Sequence, residues 1–120
     1  MAEHNEIGKL GEEQAQKFLL DKGYDILALN WRFKKAEIDI IAQQKETLVI
    51  VEVKTRTSID FERPQEAVTI SKQRHLVRAA DAYIQENEID LECRFDVISV
   101  LILNQKVEIE HIEDAFMPLL

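Results

Sequence analysis

A single cysteine, Cys93, is all the thiol chemistry the chain holds. A lone thiol excludes an internal disulfide framework, and Cys93 reads as a small buried hydrophobe at a strand start rather than as a nucleophile or ligand. That usage fits a reducing, cytoplasmic setting. There is no glycine-rich phosphate loop, internal repeat or Cys-His cluster. His4, His75 and His111 are scattered without ligand spacing, which speaks against a zinc site. No apolar run reaches bilayer length: the longest, Val97 to Leu103, is broken by Ser99 and is the size of a strand. The start, Met1 to Glu6, is acidic and polar, so no secretory signal and no membrane partner are expected. Cationic surplus is missing too. With Lys+Arg 15 against Asp+Glu 23 the formal net charge is -8, which argues against tight, unselective nucleic-acid binding by bulk charge.

What the chain does have is apolar material: 46% of 120 residues, enough for one compact domain over 1–120 with a core of its own. Two apolar runs near the middle organise the rest, Ala36-Glu37-Ile38-Asp39-Ile40-Ile41-Ala42 and Leu48-Val49-Ile50-Val51-Glu52-Val53-Lys54-Thr55-Arg56. Both read as strands. The second is mostly β-branched, as a strand covered on both faces should be, yet it carries Glu52 and Lys54. Alternation puts Ile50, Glu52, Lys54 and Arg56 on one face and Val49, Val51, Val53 and Thr55 on the other; Glu37, Asp39 and Ile41 share a face of the first run. The short polar link Gln43-Gln44-Lys45-Glu46 predicts an antiparallel hairpin. If paired positions sum to 91, Asp39 stands opposite Glu52; if they sum to 89, Glu52 is on the diagonal. Either register brings the two Cβ atoms to about 5–8 Å, close enough for their carboxylates to share one cation. An ordinary same-face ion pair between Glu52 and Lys54 is the simpler reading. The apolar setting favours the other one, because ionised groups in such surroundings bind metal or hold a shifted pKa for a task.

Residues 5 to 22 pattern as an amphipathic helix with Ile7, Leu10, Ala15, Phe18 and Leu19 near one face and Gly23 as its left-handed stop. Residues 24 to 33 predict a strand that runs into the basic link Arg32-Phe33-Lys34-Lys35. Trp31 and Phe33 are expected under the sheet, with Arg32 and Lys35 free for phosphate. Thr57 to Pro64 lacks periodicity and sits where a substrate-facing flap would lie. From Gln65 or Ser71 to about Asn87 the pattern is helical, with Val68, Leu76, Val77, Ala80, Tyr83 and Ile84 inward and Ser71 as a candidate cap. Lys72 near its start opposes the helix dipole, a hint of a substrate partner. Strands follow at 93 to 103 and 107 to 112, and a strand, helix, strand succession makes 48 to 56 and 93 to 103 parallel neighbours. Asp96 is expected to pair with Arg94 or another basic neighbour rather than to bind metal. Residues 31 to 60 hold six basic and five acidic side chains, so the cations cluster around the motif hairpin.

An acidic residue, about a dozen residues, then acidic-x-Lys at a strand end resembles the PD-(D/E)XK nuclease superfamily, here Asp39 and Glu52-Val53-Lys54. The wider pattern is more specific. It comprises Gly8-x-x-Gly11-Glu12, Gly23-Tyr24, Asn30-x-Arg32, Glu37-Ile38-Asp39-Ile40-Ile41, Val51 to Arg56, Pro64-x-Glu66-Ala67-Val68, Lys72 and Arg94-Phe95-Asp96. Together these resemble the YraN-type family of small bacterial predicted endonucleases, related to archaeal Holliday-junction resolvases, over nearly the whole chain. Ala36 and Glu62 stand where that family usually has glycine. The resemblance implies an α/β, restriction-endonuclease-like fold, a mixed central sheet in the order αβββαββ flanked by helices. It implies Mg²⁺ (or Mn²⁺) held by Asp39, Glu52 and the Val53 carbonyl, with Glu12 completing the shell and Lys54 serving the attacking water and the scissile phosphate. Glu37 is a secondary candidate ligand. Arg32, Lys35, Arg56 and Lys72 are the expected backbone contacts, the substrate is nucleic acid, structured or branched DNA before others, and junction-cutting relatives act as homodimers. Two rival readings stand beside this one. One is a catalytically silent nucleic-acid or protein-binding module on the same fold, and the other is an adaptor that uses the acidic C-terminal third as a protein contact.

Overall fold

The computed structural model describes residues 2–58 and 68–118, with side chains from residue 6 onward. Its elements run α1 (Ala2–Asp21), β1 (Asp25–Phe33), β2 (Ala36–Gln44), β3 (Thr47–Arg56), α2 (Ile70–Glu86), β4 (Glu92–Leu103) and β5 (Lys106–Ile112). That is the expected αβββαββ order, on a five-stranded mixed sheet in which the strands lie side by side in chain order. β3 and β4 are parallel and the other pairs antiparallel. The arrangement is compatible with a restriction-endonuclease-like fold. No described helix is long and apolar enough to cross a membrane.

Each helix covers one face. Ala15 and Leu19 of α1 join Ile40, Ala42, Val49, Val51, Ile98 and Val100 in one core cluster. Leu76, Ala79, Ala80 and Tyr83 of α2 join Ile38, Ile41, Leu48, Ile50, Phe95 and Val97 in the other. Because both faces of β3 and β4 are covered, the central strands need apolar residues at nearly every position, which is why their sequence shows little alternation.

Local chemistry sets the ends of the elements. Gly23 has φ +88, a left-handed conformation that costs glycine nothing, and it ends α1 as expected. The link between β2 and β3 is tighter than its sequence suggested: the strands extend to Gln44 and from Thr47, and Lys45 turns the chain with φ 54. α2 is capped by Thr69, whose hydroxyl accepts the Lys72 amide at 3.2 Å, and not by Ser71, which lies inside the first turn. The capping hydroxyl sits three residues before the amide it takes, and Thr69 has the extended backbone this requires. On α1, Leu10 is exposed rather than inward. The buried position beside it is Gly11, where a methyl group would overlap the Thr55 hydroxyl of β3. The expected flap falls largely in 59–67, outside the described residues, as do Glu62, Pro64 and Glu66.

Candidate active site

Strict alternation fails in β2 at Asp39. Ile38 and Ile41 belong to the α2 cluster while Ile40 and Ala42 belong to the α1 cluster, so Glu37, Asp39 and Ile41 do not form the single-face row that period two predicts. β1 is irregular alongside, with a register shift between Ile26 and Ala28 and with Asn30 at φ 47. The β2–β3 ladder runs from Gln44↔Thr47 to Ile40↔Val51, a register in which paired positions sum to 91, and Asp39 and Glu52 are the next pair along. There the Asp39 carboxylate replaces the ladder: its Oδ2 accepts the Val53 amide at 2.8 Å. The N–H and C=O of a strand residue address the same neighbour, so the Val53 carbonyl opens on the same gap. A pair of strands that parts beside two acids makes a cleft for oxygen ligands in the middle of an apolar sheet.

Glu52 is almost fully buried, its side chain 5% exposed. Two ammonium groups face its Oε2, Lys72 Nζ at 3.3 Å and Lys54 Nζ at 4.0 Å. Lys72 is the closer. Burial pushes Asp39 up to about 8, helped by its hydrogen bond to Glu52 and by the charges of Glu52 and Glu12, with the Val53 amide pulling the other way. Two carboxyls held this close repel each other unless a proton or a cation stands between them.

Glu12 reaches this gap from the opposite face. The close approach of Gly11 to Thr55 lets α1 settle on β3, and Asn30 Nδ2 donates to Glu12 Oε1 at 2.7 Å, which anchors the carboxylate near enough to Asp39 for its charge to act there. The sequence pattern marked Asn30 without a role; it orients Glu12. Its left-handed backbone is one that asparagine tolerates better than most residues.

Among the described residues no group of three or more His, Cys, Asp and Glu side chains is gathered as a metal cage. Two carboxylates, a backbone carbonyl and a more distant glutamate are nonetheless a donor set that suits Mg²⁺, which takes one or two carboxylates and keeps several waters.

The expected phosphate contacts are spread around the site. Arg32, 77% exposed, holds Glu37 at 2.9 Å, which occupies the secondary candidate ligand. Arg56 donates to Ser99 Oγ at 3.3 Å. Lys35 is exposed at the β1–β2 turn. Lys72 does not reach outward alone but folds back on Glu52. Trp31 lies under the sheet, edge-on to Tyr83 with ring centroids 5.2 Å apart.

Asp96, 1% exposed, serves structure. It takes a bidentate pair from Arg94 at 2.9 and 2.8 Å, His111 Nε2 at 2.7 Å and the Asp114 amide at 3.0 Å. Burial alone would raise this carboxyl, but the His111 and Arg94 bonds outweigh it and hold it below the usual range. The Lys22 ammonium can only donate, so His111 Nδ1 accepts at 3.0 Å and Nε2–H faces Asp96. Cys93 is half-buried at the second position of β4, its thiol pushed up to about 11 by burial and by Asp96, which suits the inert role expected of it.

The family described as "Uncharacterised protein family UPF0102" matches residues 11–100. A UPF0102 protein of Flavobacterium psychrophilum is 56% identical over 116 residues, 97% of this chain and 98% of its own. A UPF0102 protein of Phocaeicola vulgatus is 47% identical over 118 residues, 98% of each. One from Bacteroides thetaiotaomicron is 49% identical over the same share of both chains.

Proposed function

The chain belongs to the UPF0102 family, and from the cleft at Asp39 and the resemblance of Asp39 and Glu52-Val53-Lys54 to the PD-(D/E)XK pattern we propose that it is a metal-dependent endonuclease that hydrolyses phosphodiester bonds in nucleic acid, structured or branched DNA before other substrates. One observation carries the reading: at the point where β2 and β3 part, the buried Glu52 and the neighbouring Asp39 meet in a single gap with the ammonium of Lys54 alongside. A purely structural pair would not need two acids against each other in an apolar sheet.

Asp39, Glu52 and the Val53 carbonyl would hold Mg²⁺ or Mn²⁺, with Glu12 steadying the outer shell. Bound there, the ion supplies Lewis-acid polarisation of the phosphate and a more acidic water. The other groups follow from their placement. Lys54, at the rim of the cleft, offsets the charge that develops on the phosphate oxygens and orients the attacking water. Lys72, released from Glu52 once another cation neutralises it, is positioned to take a backbone phosphate. Arg56 and Lys35 extend the contact, and a homodimer would supply the paired cuts that a junction demands.

The test is a screen of duplex, flap, four-way-junction and RNA substrates with Mg²⁺ and Mn²⁺. The wild type should cleave at least one of them. Asp39→Asn and Lys54→Ala should each lower that rate about 100-fold or more while leaving the melting temperature within a few degrees. Cleavage that survives equally in both variants would belong to a contaminant and end the proposal. The net charge of -8 weighs against bulk contact with nucleic acid and favours, as the second reading, a silent module that holds nucleic acid or a protein partner. That module would show no cleavage under either cation, and its affinity would not depend on Lys54.

A further inference from the structure

Beyond the cleft, on the same face of the sheet, lies a cavity of about 250 Å³ lined by Phe33, Lys34, Lys35, Ala36, His75 and Arg78. In a chain with a net charge of -8 this lining contains no acid. Its floor is apolar, from Phe33 and Ala36, and its rim carries two lysines, an arginine and a histidine. The Phe33 ring offers a face to the outside, since the Lys34 ammonium stands over it at 5.3 Å from the centroid. A ring face reached by an exposed lysine is also one that another flat or cationic group can cover.

The cavity is tied to the active-site cleft by two elements. Along β2, Ala36 is three residues from Asp39, roughly 10 Å at the rise of a strand. Along α2, His75 is three residues from Lys72, about one turn. A nucleic-acid strand whose scissile phosphate sat at the Asp39–Glu52 gap would bring a nucleotide over this cavity about three steps away at the duplex rise, and fewer where the strand is unpaired and extended.

We infer that the cavity is a subsite for one unpaired nucleotide near the scissile bond, its base against Phe33 and Ala36 and its phosphate on Lys35 and Arg78. An aromatic floor inside a cationic rim is the arrangement that takes a single-stranded nucleotide with little regard to sequence, through stacking on the base and charge on the backbone. A paired base cannot present its face to Phe33. The subsite therefore favours substrates with an end, a gap or a flap within reach of the cleft over continuous duplex. The inference rests on the nucleic-acid reading of the cleft and deepens it by naming the substrate class.

Binding is measured by fluorescence anisotropy in Ca²⁺ with two labelled probes, a flush-ended DNA hairpin and the same hairpin carrying a three-nucleotide single-stranded overhang. The wild type should bind the overhang probe more tightly. Phe33→Leu, which keeps apolar volume in the floor, should weaken overhang binding about fivefold or more and leave the flush probe within about twofold. Arg78→Gln, at an exposed position, should lower the salt slope of overhang binding by about one unit. Thermal melts confirm that both variants fold. Equal weakening of the two probes in Phe33→Leu would make the cavity a general contact and overturn the inference, as would no weakening of either. Overhang preference without cleavage under Mg²⁺ or Mn²⁺ would remove the nuclease reading and leave the subsite standing. Asp39-dependent cleavage with no overhang preference would do the reverse.

Discussion

Asp39 and Asp96 are both carboxyls in low-dielectric surroundings, and their partners send them in opposite directions. Asp39 faces Glu52 and one amide, and it is raised to about 8; Asp96 faces Arg94, His111 and an amide, and it is lowered. The consequences for stability are opposite as well. Between its ordinary value of 3.8 and about 8, Asp39 keeps a proton in the folded protein that the unfolded chain has released. Its contribution to folding is fully present below about pH 4 and is lost as pH rises to about 8. Asp96 contributes above its unfolded pKa, and that contribution disappears only as pH falls through its depressed folded value. Ion-free protein should therefore lose melting temperature between pH 5.5 and 8, Asp39→Asn should flatten that slope, and Mg²⁺ should restore wild-type stability at pH 8 without helping the variant. A wild-type melting temperature that holds level across the range would show that the two acids do not share a proton.

At the scale of elements, the position of α1 depends on a residue without a side chain. Placing alanine at Gly11 would raise intrinsic helix propensity by about 1 kcal/mol. The added methyl, however, would overlap the Thr55 hydroxyl and drive the helix off β3, and overpacking of this kind typically costs about 1–3 kcal/mol. The second effect wins, so Gly11→Ala should be net destabilising in urea unfolding. Thr55→Ala on top of it should recover part of the loss. The same displacement withdraws Glu12 from Asp39, so the double variant should recover stability more fully than any cleavage activity. Helix and strand order were legible beforehand because 3.6- and 2-residue periods, Gly23 and the crossover rule are all local or topological signals. The cap of α2 was not. Thr69 carries the same hydroxyl chemistry as the expected Ser71, and only the extended backbone at Thr69 makes it the cap.

Over the whole molecule the charge is distributed against its own total. The cleft and the cavity beside it gather Lys54, Lys72, Lys35 and Arg78, while acids line the far end of the sheet at Glu46, Asp90 and Glu92. Few phosphates can be met at once, so DNA affinity measured between 50 and 200 mM salt should follow a log–log slope of about -3 to -4, far short of a strongly basic binder. A slope near zero would place the contact elsewhere than on the backbone. The composition and order of residues sufficed for the αβββαββ succession, the parallel β3–β4 pair and the meeting of Asp39 with Glu52, since residue periods, the crossover rule and the hairpin register constrain which segments and positions can be neighbours. They did not suffice for the break in alternation at Asp39, the reach of Asn30 to Glu12, the fold-back of Lys72 onto Glu52, or the cavity between the β1–β2 turn and α2. Those contacts join residues far apart in the chain or depend on how two strands diverge. Their geometry is set by the packing of two helices against opposite faces of one twisted sheet, which no local period encodes.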